Sequence, residues 1–147
     1  MDIDNFMAAY KRVWKAQDSE GFAALFTPDG QYWNTPFQVQ DSFDARKTYW
    51  DRIKLQDRIS LRYEVLSRND NGGIAHWNVT YQVASEELFQ IWAKSAGTGL
   101  PDRKPGDPLP WMELDGMLSA QFDRGGPDGG LAREVRIWWH SLPRPQG

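Results

Sequence analysis

The chain has 147 residues, a formal net charge of -3 and no cysteine. These values exclude a disulfide framework and a thiolate nucleophile, and they disfavour a nucleic-acid partner because binding the phosphate backbone needs a basic surface. The N-terminus lacks the apolar core of a signal peptide, and no segment approaches the ~18 apolar residues of a membrane span. We therefore expect a cytoplasmic protein with one domain, residues 1–147, and with neither nucleic-acid nor membrane partners.

Three helices are predicted in the N-terminal part of the chain, over residues 4–16, 20–26 and 42–55. The first has one apolar side at three- and four-residue spacing, formed by Phe6, Tyr10, Val13 and Trp14. Asp18 and Ser19 are both suitable N-caps for the second helix, and Ser42 for the third, because their side chains accept hydrogen bonds from unpaired backbone N–H groups.

Strands are predicted where apolar and polar residues alternate with a period of two. The predicted strands cover residues 31–34, 58–66, 74–83, 112–122 and 133–141. The segment 69–73, Asn-Asp-Asn-Gly-Gly, has the composition of a hairpin turn, so the strands on either side of it should pair antiparallel. Helices followed by hairpin strands predict an α+β fold with an antiparallel sheet.

Residues 85–111 separate two of these strands. Ser85 and the acidic residues after it predict a helix over residues 86–95. A Gly- and Pro-rich segment follows, and loops of that length are usually functional or disordered. A lid over a pocket, a packed surface insertion and a dimer arm are all compatible with this composition. The tail, residues 142–147, is expected to fray.

Residues 16–37, AQDSEGFAALFTPDGQYWNTPF, combine a capped short helix, a turn at residues 27–30 and an aromatic strand closed by Thr35-Pro36. After an amphipathic helix, this pattern resembles the start of the SnoaL-like, nuclear-transport-factor-2-like (NTF2-like) superfamily. The resemblance extends over about residues 4–83 and 112–141.

The resemblance implies a cone, in which a strongly bent antiparallel sheet wraps around three N-terminal helices. Segment 85–111 would be a helical and Pro-rich insertion. A pocket would lie between the concave sheet face and the first helix. The resemblance also implies a homodimer through the outer sheet face, where the alternation exposes Trp138.

Ketosteroid isomerases of this superfamily carry an Asp base before a proline that corresponds to Pro36, where this chain has Thr35. Their protonated carboxyl group corresponds to Leu118. Only a helix-1 tyrosine is matched, by Tyr10. The chain is therefore not expected to be a ketosteroid isomerase, and Tyr10 is either a hydrogen-bond donor in the pocket or a core tyrosine.

Asp115 is the candidate acid or base, since a carboxylate in a dry aromatic pocket has a raised pKa. Straight alternation places it on the outer face, whereas a β-bulge at Gly116 would turn it toward the pocket. The alternation also places His76 and His140 outside. His140 is kept as a third catalytic candidate because strand ends often bend.

Aromatic residues make up 14% of the chain, including eight Trp. They either fill the core or form the walls of a pocket for a hydrophobic small molecule. The candidate substrate-binding residues are Trp14, Trp33, Trp50, Trp77, Tyr81 and Trp139. No cofactor is expected, and no metal either, because two His and no Cys do not supply the usual ligand sets.

Two functional hypotheses follow. The first is a cofactor-independent isomerase, dehydratase, cyclase or hydrolase that acts on a hydrophobic cyclic compound, with Asp115 as acid or base and Tyr10 as donor. The second is a non-catalytic ligand-binding or assembly module. The missing isomerase positions favour the second hypothesis, and the single-domain length and aromatic content favour the first.

Overall fold

The computed structural model describes residues 2–87, 89–90, 106–123 and 130–144. The helices are α1 (Ile3–Lys15), α2 (Ser19–Ala23) and α3 (Phe43–Trp50), which continues as a 3₁₀ turn, Asp51–Leu55. The strands are β1 (Phe26–Thr35), β2 (Gln38–Gln40), β3 (Gln56–Asn69), β4 (Gly72–Val83), β5 (Trp111–Phe122) and β6 (Ala132–Arg144). Three helices thus pack on one strongly curved sheet of six strands, which confirms the predicted α+β cone.

Each of the three helices begins at a side-chain N-cap, and those of α2 and α3 are the predicted ones, whereas α1 begins one residue before its predicted start at residue 4. Asp2, Asp18 and Ser42 each accept a hydrogen bond from the backbone N–H three residues later. The predicted third helix changes to a 3₁₀ turn after Trp50. This change gives the residues that follow a different direction from the one that a continuous helix would impose.

The strands lie in the order β2-β1-β6-β5-β4-β3. All neighbours pair antiparallel except β1 and β6, which are parallel. The predicted turn at residues 27–30 is absorbed into β1 as a break in register between Phe26 and Gln31. Alternation alone does not tell which distant strand becomes the neighbour, so neither the parallel pair nor the short β2 was predicted.

The concave face of the sheet holds the core against α1. Phe6, Tyr10 and Trp14 lie on the buried side of α1 and are almost inaccessible to solvent. Phe6 contacts Phe122 of β5, and Trp14 contacts Trp77 of β4, with ring centroids 5.6 and 5.5 Å apart. This aromatic layer fixes α1 across the middle of the sheet.

Arg46 of α3 is a fully buried cation. Its guanidinium donates to the carbonyl oxygens of Gly30 at 2.7 Å and of Ala23 and Thr27 at 3.2 Å. It also lies over the ring of Phe26, 4.9 Å from the ring centroid. Arg46 thereby connects α3 to the end of α2 and to the irregular part of β1.

The insertion is described only at its two ends. Glu86, Glu87, Phe89 and Gln90 are helical, and the rest of the predicted 86–95 helix and most of the Pro-rich segment lie outside the described residues. β6 extends to Arg144, beyond the predicted strand end at residue 141. In the part of the chain that the structure describes, no helix is long and apolar enough to cross a membrane.

Candidate functional site

A narrow cavity of about 90 Å³ lies between the helices and the concave face of the sheet. Its walls are mainly aromatic, and they include Tyr10, Trp14, Tyr32, Tyr49, Trp50, Arg52, Ile53, Gln56, Trp77, Tyr81, Leu114, Ile137 and Trp139. Tyr49 and Trp139 are half-buried and Arg52 is exposed, so these three residues form the mouth.

The regular register of the sheet determines which residues face this cavity. Trp77 of β4 is paired with Gly116 of β5, and Gly116 with Trp139 of β6, without a break in register around them. A Cβ atom at position 116 would lie 2.5 Å from Cζ2 of Trp77, closer than any real contact. Gly116 therefore provides space for the Trp77 indole and does not form the bulge that the sequence allowed.

Most of the aromatic rings pack against one another. Trp50 stacks on Phe22 with centroids 3.7 Å apart, and its ring lies 5.4 Å from Trp14 and 5.5 Å from Tyr10. These edge-to-face and stacked pairs make the walls rigid. The same rings both fill the core and line this cavity.

One hydrogen-bond donor in the walls lacks an acceptor in the part of the chain that the structure describes. The indole N–H of Trp77 is buried, and none of the described residues accepts a hydrogen bond from it. By contrast, Trp14 donates to Gln56 Oε1 at 2.8 Å. Tyr10 lies in the same wall, and burial raises the pKa of Tyr10 strongly. Tyr10 is therefore a neutral phenol at any physiological pH.

The predicted binding residues lie at this cavity with one exception. Tyr10, Trp14, Trp50, Trp77, Tyr81 and Trp139 all line it. Trp33 does not, because its neighbours Tyr32 and Asn34 take the inward positions of β1. Its ring instead packs under Arg136, whose Cζ lies 4.3 Å from the ring centroid. The placement of Trp33 in the pocket wall was wrong.

Asp115 lies on the outer face of the sheet, one residue out of phase with the cavity. Its carboxylate receives hydrogen bonds from His76 Nε2 at 2.8 Å and from Asn78 Nδ2 at 3.0 Å. Desolvation acts to raise the pKa of Asp115, but these bonds and the charges of His76 and Arg62 outweigh it, so the net shift is downward. The structure does not bring Asp115 together with Tyr10.

His140 is the partner of Asp115 in the pairing of β5 with β6, and it is exposed. Together with Trp138 they line a wide outer hollow of about 710 Å³. The strand does not bend enough at His140 to bring its side chain to the cavity. Of the three catalytic candidates, only Tyr10 lies at the aromatic cavity.

Sequence analysis missed the polar residues at the cavity, above all Arg52 and Gln56. Arg52 lies in the 3₁₀ turn after α3, where helical periodicity no longer describes side-chain direction. Gln56 is a buried polar residue at the start of β3. Gln56 stands in a polar segment, and the residues around it do not predict that its side chain is buried at the cavity.

Neither a carboxylate nor a histidine belongs to the cavity walls that the structure describes. Within the same residues, no three His, Cys, Asp or Glu side chains are grouped in a way that could hold a metal ion. The donors at the cavity are thus phenol, indole, amide and guanidinium groups. Such groups can bind and orient an oxygen acceptor.

No protein-family model matches the chain, and no curated protein matches its sequence. Solved structures do resemble it. The epoxide hydrolase/cyclase-like enzyme SalBIII, described for pyran ring formation in polyether salinomycin, is 11% identical, with a TM-score of 0.63 over 92% of this chain and 88% of that chain. A ketosteroid isomerase-like protein from Erwinia carotovora atroseptica is also 11% identical, with a TM-score of 0.55 over 92% and 91%.

A computationally designed 17-OHP binder is 15% identical, with a TM-score of 0.62 over 95% of this chain and 94% of that chain. One of these proteins is described as an enzyme and another as a designed binder, and at such identities the likeness concerns the fold. The curved sheet, the three helices and the cavity between them agree with that likeness. The chain therefore has the SnoaL-like, NTF2-like cone fold.

Proposed function

We propose that the protein binds a small hydrophobic molecule in the aromatic cavity under the concave face of the sheet. The observation that carries this proposal is the cavity itself, with rigid aromatic walls and a mouth at Tyr49, Arg52 and Trp139. Ligand sites usually have this character, with mostly apolar walls and a few polar groups that orient the ligand. The designed 17-OHP binder illustrates that a cone of this kind can hold a ligand.

The Trp77 donor, which has no acceptor among the described residues, favours a ligand that carries an oxygen acceptor. An unpaired buried N–H costs about 1–3 kcal/mol, and a carbonyl or hydroxyl oxygen near Trp77 would remove that cost. Tyr10, in the same wall, can donate a second hydrogen bond to such an oxygen. An apolar ligand without an acceptor would leave the cost at Trp77 in place. A cyclic ketone or a phenol therefore fits the walls better than a hydrocarbon of the same size.

The volume limits how much of the ligand enters. A cavity of about 90 Å³ is smaller than the roughly 150 Å³ of an engineered cavity that binds benzene. One ring can enter only with a small movement of the walls, and any further part of the ligand lies at the mouth. Arg52 is exposed there and Trp139 is half-buried, so the part of the ligand at the mouth stays in contact with solvent.

Binding without chemistry is the function favoured over catalysis. The proposed acid or base, Asp115, lies on the other face of the sheet and has a lowered pKa. Tyr10 can donate a hydrogen bond but cannot accept a proton as a base near neutral pH. A cofactor-independent isomerase, dehydratase, cyclase or hydrolase would need a base from elsewhere. The expected cytoplasmic location stays a prediction.

The test is thermal shift and tryptophan fluorescence with toluene, 4-methylphenol and cyclohexanone. A ligand at 100 times its Kd stabilises by about 2.7 kcal/mol, which raises the melting temperature of a domain of this size by roughly 5–10 °C. We expect Tyr10→Phe to weaken the binding of the two oxygen-containing compounds by about two- to tenfold and to leave the binding of toluene unchanged.

Two further variants locate the bound compound. Leu114→Phe enlarges a residue that lines the cavity and not the outer hollow, and it should abolish binding, whereas Asp115→Asn, on the outer face, should not change it. If no compound shifts the wild-type protein, the proposal is wrong. Binding that survives in Leu114→Phe and responds to Asp115→Asn would move the site to the outer hollow.

We also propose that the protein forms a homodimer through the outer sheet face. The supporting observation is Trp138, which is 48% exposed beside the hollow that also contains Met117 and His140. An exposed Trp beside a large hollow is typical of an interaction surface. Sedimentation velocity should give a dimer for the wild type and a monomer for Trp138→Ser. A wild-type monomer at micromolar concentration would contradict this proposal.

A further inference from the structure

We propose that the ligand of the aromatic cavity carries an anionic group, a carboxylate or a comparable oxyanion, and that the Arg52 guanidinium binds this group at the cavity mouth. This inference rests on the proposed function of the cavity. It narrows the ligand from any small hydrophobic molecule to an aromatic or alicyclic acid with one ring.

The first argument is the position of Arg52. It lies in the 3₁₀ turn Asp51–Leu55, and it is both exposed to solvent and part of the cavity wall. Its Cζ lies 3.8 Å from the centroid of the Tyr49 ring, and its Nε donates to the Tyr49 carbonyl oxygen at 2.9 Å. Stacking and this one bond hold the guanidinium at the mouth, and no described residue accepts a hydrogen bond from its two terminal nitrogens.

The second argument is that no described carboxylate pairs with Arg52. Among the described residues, some arginines have such partners: Arg68 pairs with Asp4, Arg136 with Glu134 and Arg144 with Glu113. The carboxylate next to Arg52 in the chain, Asp51, is bound to Ser19, Lys47 and Lys54. The other exposed arginines without a described carboxylate partner are Arg12, Arg58, Arg62 and Arg133, and none of them lines the aromatic cavity. Arg52 differs from them in its place at the aromatic opening, which suits its charge to an anion from outside the protein.

The third argument is that the charge acts on the interior of the cavity. Burial raises the pKa of Tyr32, of Tyr49 and of Tyr81, and in all three cases the Arg52 charge opposes that rise. The guanidinium is therefore close enough to influence three phenol groups in the cavity walls. Negative charge on a ligand at the mouth is stabilised from the same position.

The preference for a carboxylate follows from the shape of the Arg52 guanidinium. A guanidinium offers two parallel N–H donors to a carboxylate, and an ammonium group does not have this geometry. The ring of the ligand would enter the space between Trp14, Trp50 and Trp77, and the carboxylate would stay at the mouth. A short acid with one ring, such as an arylacetate, matches both the small volume and the position of the cation.

The experiment compares acids with amides of the same shape, which differ mainly in charge. The probes are benzoate against benzamide and phenylacetate against phenylacetamide, measured by saturation-transfer NMR and by calorimetry at low salt and at 0.5 M NaCl. We expect the wild-type protein to prefer each acid by about three- to tenfold, and we expect salt to reduce the preference.

Arg52→Gln should bind acid and amide equally, Arg52→Lys should keep part of the preference, and Arg12→Gln should behave as the wild type. Arg12 is the matched control because it is exposed on α1 and does not line the cavity. A melting temperature of Arg52→Gln close to that of the wild type shows that the 3₁₀ turn is intact, and the amides then report cavity binding independently.

The outcomes separate the two proposals. Equal affinity of the wild type for acid and amide overturns the anionic ligand and leaves the cavity proposal standing. A preference for the acid that persists in Arg52→Gln overturns the role of Arg52. If neither acid nor amide binds to the wild-type protein, the proposed function fails and this inference fails with it.

Discussion

The two faces of the same strands have opposite chemistry. On the concave face, β4, β5 and β6 present Trp77, Leu114 and Ile137 to an aromatic cavity. On the convex face, one residue out of phase, the same strands carry Asn78 and Asp115 together with acidic and basic side chains that pair with one another. The period of two in a strand produces this separation without any change in the backbone.

The difference shows that the type of a residue does not decide its role. A carboxylate becomes a base near neutral pH when burial raises its pKa, and Asp115 has the opposite environment, with donors that lower it. Tyr10 has a common side chain in a core, yet it belongs to the wall of the aromatic cavity. The concave face can therefore bind a ligand, whereas the side chains of the convex face can form ion pairs with one another.

The sharpest test of this contrast compares a buried arginine with an exposed one. Arg46→Met should lower the free energy of unfolding by more than about 3 kcal/mol, because it removes three hydrogen bonds and leaves buried carbonyl groups unpaired. Arg144→Met breaks the ion pair with Glu113 on the outer face and should cost less than about 1 kcal/mol. Urea denaturation measures both, and similar losses for the two variants would contradict the contrast.

A second test adds one methyl group to the inner face. Gly116→Ala should lower the free energy of unfolding by about 1–3 kcal/mol, because the new Cβ would overlap the Trp77 indole, which is only 2% exposed. The smaller ring of Trp77→Phe should relieve the overlap, so the double variant should lose less than the sum of the single losses. Additive losses would show that the indole does not limit this position.

The smallest expected effect concerns Asp51, a partly exposed carboxylate beside the mouth. Hydrogen bonds from Ser19, Lys54 and Lys47 lower the pKa of Asp51 to about 2. Because the folded-state pKa lies below the unfolded value, the stabilisation is fully present above about pH 4 and disappears as the pH falls through 2. At pH 7, Asp51→Asn should cost less than about 1 kcal/mol, since the side chain is 37% exposed.

Thermal unfolding of the wild type and Asp51→Asn from pH 7 to pH 2 checks this prediction. The difference in stability should be constant down to about pH 4 and should shrink below it. Asp57→Asn serves as the control because Asp57 is exposed and has no ion pair within the described residues. A difference in stability that grows on acidification would mean that the predicted direction of the pH dependence is wrong.

Local chemistry allowed much of the fold to be predicted. Asp18 and Ser42 are the N-caps of α2 and α3, and the Asn- and Gly-rich segment joins β3 to β4 as an antiparallel hairpin. The inward direction of Trp77 and Tyr81 was also predicted correctly from alternation. These features depend on neighbouring residues and on a fixed periodicity, so sequence is sufficient for them.

The candidate site was predictable only in part. Alternation placed Asp115 outside, and only the assumed bulge at Gly116 supported an inward direction; the regular register excludes that bulge. Trp33 was assigned to the wall because of its ring, although Tyr32 beside it takes the inward position of β1. Arg52 could not be assigned, since the direction of its side chain depends on the change from α3 to a 3₁₀ turn.

The sequence by itself determined the caps, the hairpin, the helix faces and the aromatic character of the interior, because each depends on interactions within a few residues or on one period. The tertiary structure decided the parallel contact of β1 with β6, the space that Gly116 leaves for Trp77, and the position of Arg52 at the mouth. These features depend on which distant segments meet and at what register, and short-range patterns carry no information on that choice.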